Sequence, residues 1–150
     1  MLMTRGAVLA ALIVPTLLAQ NDWPYWGGRD AGNQRYSPLK QINTTNVSKL
    51  VPAWQYQMKK EGRPFRASQS TPLVIGGVMY LSYPFYHVVA LEPETGKTLW
   101  EFTAPGDYDS PEHRSHANPL GSMRGMAYWP GDKLTTPQIV FGTEEGELYS

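Results

Sequence analysis

The chain has 150 residues, 13 basic and 13 acidic side chains, a formal net charge of zero and no cysteine. Balanced charge with no long basic run removes the electrostatic case for binding nucleic acid or an anionic membrane surface. The missing cysteines exclude disulfides, thiolate metal sites and a lipoprotein anchor. The 14 glycines, 13 prolines and 12% aromatic residues fit a turn-rich, strand-dominated globular fold.

Residues 1–19, MLMTRGAVLAALIVPTLLA, carry one arginine, an apolar run broken by Pro15, and Leu17 and Ala19 where a signal peptidase would read them. The expectation is a signal peptide over 1–19 and a mature domain over 20–150, periplasmic or secreted. The 14 residues from Gly6 to Ala19 fall short of the roughly 20 needed to cross a bilayer, so no membrane span is expected in the mature chain.

An irregular lead-in rich in tryptophan and glycine follows, NDWPYWGGRDAGNQRYSPLKQ, and then NTTNVSKL, which has room for about one helical turn before Pro52. Asn43 and Asn46 match the glycosylation acceptor pattern and are read as turn or capping residues. A strand is expected at Ala53 to Gln57. The stretch from Ser70 to Ala104 is the most regular: PLVI, VMYLSY, HVVALE and KTLWEF are four antiparallel strands, with Gly76-Gly77 and Glu94-Thr95-Gly96 as hairpin connections. Their β-branched and aromatic side chains suit pleated, at least half-buried surfaces.

Parts of this unit recur. PAWQYQ at 52–57 resembles TLWEFT at 98–103, which sets Trp54 and Trp100 in equivalent last-strand positions, and PQIVFGTEEGELYS at 137–150 repeats strand, turn and strand. Four strands per unit at a period of about 40–50 residues indicate β-propeller blades, all-β in class. About two blades are present, so the chain is expected to be the amino-terminal part of a longer ring.

WGGRDAGNQRYSPLKQINTTNVSKLVPAWQY, STPLVIGGVMYLS, VVALEPETGKTLWEF and RGMAYWPGD, in that order, resemble the quinoprotein alcohol and glucose dehydrogenases. The resemblance implies a ring of about eight blades around pyrroloquinoline quinone (PQQ). It implies oxidation of an alcohol or sugar by hydride transfer to PQQ, with calcium as Lewis acid and a carboxylate as base. The electron acceptor would be a cytochrome, a fused haem domain or membrane quinone. Calcium ligands and the catalytic carboxylate are expected beyond residue 150. The competing reading is a non-catalytic periplasmic propeller used as a docking scaffold.

Two residues fall on the family's cofactor positions. Arg124 opens RGMAYW, and a guanidinium offers a planar, non-titrating fork for a carboxylate of PQQ. Gln69 stands three residues before Pro72, and its amide can hydrogen-bond without burying a further negative charge. The adjacent cysteines that cap PQQ in many alcohol dehydrogenases are missing, and that stretch reads Asn118-Pro119. His116 or Asn118 could replace them, although a surface loop is the expected role of each. His113 and His116 near Asp107, Asp109 and Glu112 lack a second ligand pair, so no transition-metal site is expected. His87 reads as a strand-end residue, Glu92, Glu94 and Lys97 as solvated turn charges, and Tyr80, Tyr83, Phe85 and Tyr86 as packing residues.

Overall fold

The computed structural model describes residues 22–29, 32, 34–60, 63–65, 68–110 and 123–150. The segment 1–19 and the loop with Glu112, His113, His116 and Asn118 therefore lie outside the described residues. A single 3-10 turn, Val47–Lys49, sits where the sequence allowed one turn. Asn43 and Asn46 are turn residues: the Asn46 Oδ1 accepts from the Asn43 N–H at 2.8 Å, and the Asn43 Oδ1 from the Thr45 N–H at 2.9 Å.

Among the described residues three antiparallel sheets follow. A short hairpin pairs β1 (Lys59–Lys60) with β2 (Arg63–Pro64). The first large sheet runs in chain order through β3 (Leu73–Ile75), β4 (Val78–Tyr83), β5 (His87–Leu91) and β6 (Thr98–Thr103). These are the four strands expected from the sequence, joined at Gly76-Gly77 and through Glu94-Thr95-Gly96. The second sheet is β7 (Ala127–Trp129), β8 (Gln138–Gly142) and β9 (Leu148–Tyr149).

The connection from β4 to β5 departs from ordinary turn chemistry. Phe85 and Tyr86 both hold positive φ, 62° and 57°, where bulky side chains are rarely found. Packing compensates: both rings are buried, the Tyr86 ring meets Tyr108 edge-on at 4.7 Å, and the Tyr86 carbonyl accepts from the Ala104 N–H at 3.0 Å.

Every residue of β5 is buried, and strand alternation sends its side chains to two different cores. Val88 joins Phe85, Tyr86, Ala104, Tyr108, Met123 and Phe141 between the two large sheets. Val89 and Leu91 face the other way, with Tyr83, Trp54, Tyr56 and Met58. Full burial of each such side chain is worth about 1.5–3 kcal/mol. A strand covered on both faces is what the middle of a blade between neighbours requires.

Two expectations are corrected. Ala53 to Gln57 is not a strand; the segment has no ladder partners and lies across the first sheet. There Trp54 Nε1 donates to the Pro93 carbonyl at 2.9 Å, and Tyr56 Oη donates to Glu101 at 3.0 Å. Gly96 permits the contact, because a Cβ there would fall 2.6 Å from the Trp54 ring. Trp54 and Trp100 are thus not in equivalent last-strand positions within the described structure. Nor is β6 half-buried: all six residues are exposed, Trp100 at 45% and Phe102 at 39%. β6 is the outer edge strand, paired with β5 alone, and the rings of Phe141 and Tyr149 approach Phe102 at 6.1 and 5.8 Å.

Candidate functional site

Gln69 and Arg124 occupy matching places, a few residues ahead of β3 and β7, the first strands of the two large sheets. Both side chains are exposed, and both are held by their neighbours. The hydroxyls of Ser68 and Ser70 donate to the Ser82 carbonyl of β4, which pins the backbone on either side of Gln69. Arg124 lies between Met123, buried in the core between the sheets, and Met126, packed against the same core. Gly125 at φ 153° turns the chain from the buried methionine into β7.

The entries of β3 and β7 share one open cleft of about 400 Å³. Thr71 and Leu73 come from the first sheet, Arg124 and Met126 from the second, and Trp26 from the lead-in. Among the described residues Arg124 is the only charged one that lines it. Gln69 is not a lining residue, although Thr71, two positions on, is. The structure therefore brings Arg124 to the cleft and leaves Gln69 beside it.

Polar contacts tie the two sheets together. Tyr108 Oη donates to Glu147 Oε2 at 2.7 Å, and the backbone N–H of Glu144 donates to Tyr86 Oη at 3.0 Å. Burial, and then the hydrogen bond to Glu147, push the Tyr108 hydroxyl up to about 12. The donated bonds from Tyr108 and Tyr149 hold the Glu147 carboxyl below its usual range. Beyond β7, Asp132 accepts from the N–H groups of Leu134 and Thr135, which lower its carboxyl and close the turn to β8.

The cleft fits one wall of a site for a planar polyanion. Arg124 supplies a guanidinium fork, Thr71 a hydroxyl and Gln69 a nearby amide, and the apolar lining repels no negative charge. Among the described residues no group of three or more His, Asp or Glu side chains could hold a metal ion. His87 is buried, stacked on Tyr83 at 4.8 Å and hydrogen-bonded through Nδ1 to Thr103 at 2.8 Å, a packing role. Glu92, Glu94 and Lys97 are exposed in their turn. Tyr83, Phe85 and Tyr86 pack in the cores, and Tyr80 lies against Trp100 at 5.9 Å. Sequence reading missed Thr71 and Trp26 as cleft residues; a threonine before a strand and a lead-in tryptophan carry no local signal of a shared wall.

Two antiparallel sheets packed face to face, each entered past a polar residue before its first strand, define consecutive blades of a β-propeller. The chain belongs to the PQQ dehydrogenase family: residues 23–150 match the family described as glucose/ethanol/alcohol dehydrogenase, beta-propeller domain. It is 39% identical over 129 residues to the dehydrogenase subunit of an alcohol dehydrogenase (quinone) from Gluconobacter oxydans, covering 85% of this chain and 15% of that protein. It is 34% identical over 123 residues to methanol dehydrogenase [cytochrome c] subunit 1 of Paracoccus denitrificans, covering 78% of this chain and 18% of that protein. Among solved structures, a europium-containing methanol dehydrogenase aligns with a TM-score of 0.68 at 29% identity, over 87% of this chain and 21% of that one. The chain thus spans less than a fifth of the length of these two curated relatives.

Proposed function

We propose that this chain is the amino-terminal part of a PQQ-dependent dehydrogenase that oxidises an alcohol or an aldose. The observation that carries the reading is Arg124, the single charge among the described residues that line a cleft formed where the first strands of two consecutive blades begin. Membership of the PQQ family supports it.

When bound, PQQ supplies an ortho-quinone that accepts the hydride from the substrate carbon, with calcium as the Lewis acid. The residues of this chain bind and orient. Arg124 would hold a cofactor carboxylate with its guanidinium, and the buried Met123 fixes where that fork sits. Gln69 hydrogen-bonds at the rim without adding a negative charge. Leu73 and Met126 keep water from the wall between the blades. The base that takes the hydroxyl proton and the oxygen ligands of calcium are assigned to the remainder of the ring. Electrons leave to a cytochrome c or a quinone, the acceptors that the names of the two relatives carry.

The test is reconstitution of the full-length protein with PQQ and calcium, followed by anaerobic addition of primary alcohols and aldoses. The bound quinone is expected to convert to its reduced spectrum with at least one of them. Failure to take up PQQ, or a quinone left oxidised by the whole panel, would refute the assignment.

We also assign residues 1–19 as a signal peptide that delivers the protein to the periplasm or medium. Amino-terminal sequencing of the exported protein is expected to begin near Gln20. Intact Met1 in a membrane fraction would overturn this.

A further inference from the structure

The lead-in is built onto the free edge of β3. The Trp23 N–H donates to the Val74 carbonyl at 2.6 Å, the Val74 N–H donates back at 3.0 Å, and the Gly76 N–H donates to the Asp22 carboxylate at 3.0 Å. The chain then closes a tight turn from Tyr25 to Gly28, whose N–H and carbonyl groups exchange bonds of 3.1 and 3.2 Å. This antiparallel run carries Trp26 to the entry of β3, where it lines the same cleft as Thr71 and Arg124. The Arg35 guanidinium lies 4.3 Å from the centre of the Trp26 ring. Arg35 itself holds φ 52°, a conformation rare for its residue type, and its N–H donates to the Gly27 carbonyl at 2.7 Å.

Two ladder bonds, a tight turn and an unusual backbone conformation thus hold the Trp26 ring at the cleft that Thr71 and Arg124 also line. We propose that Trp26 contacts the cofactor in the cleft it lines with Arg124, and that Arg35 is a positioning residue stacked on the Trp26 ring. The inference rests on the cofactor reading above. A planar polyanion gains apolar contact from the indole and attraction from a guanidinium held near the cleft by the stack. That attraction acts across the ring and is screened by salt, with a Debye length of about 10 Å at 0.1 M.

The experiment is equilibrium dialysis of PQQ against the full-length protein at low and high ionic strength. Trp26→Ala is expected to weaken PQQ about tenfold and Trp26→Phe by less than about threefold, because the phenyl ring keeps most of the contact. Arg35→Gln is expected to weaken it about fivefold at low salt and to converge on the wild type at high salt, with Arg35→Lys between the two. Wild-type affinity in Trp26→Ala and Arg35→Gln, alongside a loss in Arg124→Ala, overturns this inference and leaves the cofactor reading standing. An Arg35→Gln deficit that is equal at every salt concentration overturns the electrostatic role of Arg35. If the unaltered protein takes up no PQQ, the cofactor reading fails and this inference with it.

Discussion

Arg124→Ala, made in the full-length protein, is expected to weaken PQQ by about 3 kcal/mol, on the order of a hundredfold. The size follows from what is removed. Among the described residues Arg124 is the only charge lining the cleft. The loss falls on a charge-assisted pair that the rest of the ring would shield from water, where truncation of one partner costs more than at an open surface. Arg124→Lys is expected to recover only part of the affinity, because an ammonium keeps the charge and loses the two-pronged geometry. Met123 stays in the core in either variant, so the fold should survive and the effect should appear in binding. A PQQ titration of apo-protein that gives one affinity for all three forms would remove Arg124 from the site.

The 150-residue chain alone, supplied with PQQ, calcium and a redox dye, is expected to show no turnover with primary alcohols or aldoses. Two blades offer a cofactor on a ring axis one side of its site. Proximity and preorganised charge each lower a barrier by several kcal/mol, but only when the reacting groups are held in one frame. The exposed apolar side chains Trp100 and Phe102 on β6, and the outer edge of β9, also present the kind of strand edge that associates with other chains. Turnover at about 1 s⁻¹ or faster, a rate ordinary for enzymes, would refute both the placement of the catalytic groups outside this chain and the site built on it.

Much of the first large sheet was legible because its signals are local. Runs of β-branched and aromatic residues between glycine-containing turns mark β3 to β6 wherever the rest of the chain lies, and the Gly76-Gly77 connection is chemistry that two adjacent residues can specify. The expectation for Arg124 rested instead on its place in RGMAYWPGD. The structure adds the local cause: a buried methionine before it and a glycine after it hold the arginine at the entry of β7.

The failures share one origin, dependence on residues distant in the chain. Ala53 to Gln57 has the composition of a strand, yet a strand exists only with a partner to receive its N–H and carbonyl groups. What the segment finds instead is the face of the first sheet, where Pro93 and Glu101 take its side-chain bonds. Phe85 and Tyr86 would not be chosen for a turn at positive φ by any propensity; burial between two sheets outweighs the local cost. The same division runs through the site. Residue order determined that this chain makes a four-stranded antiparallel sheet and carries an arginine ahead of the next one, since periodicity and turn chemistry act over a few residues. Only the tertiary structure decided that Thr71 and Trp26 join Arg124 in one cleft while Gln69 stands beside it, because a wall made from β3, β7 and the lead-in exists only after the sheets have packed.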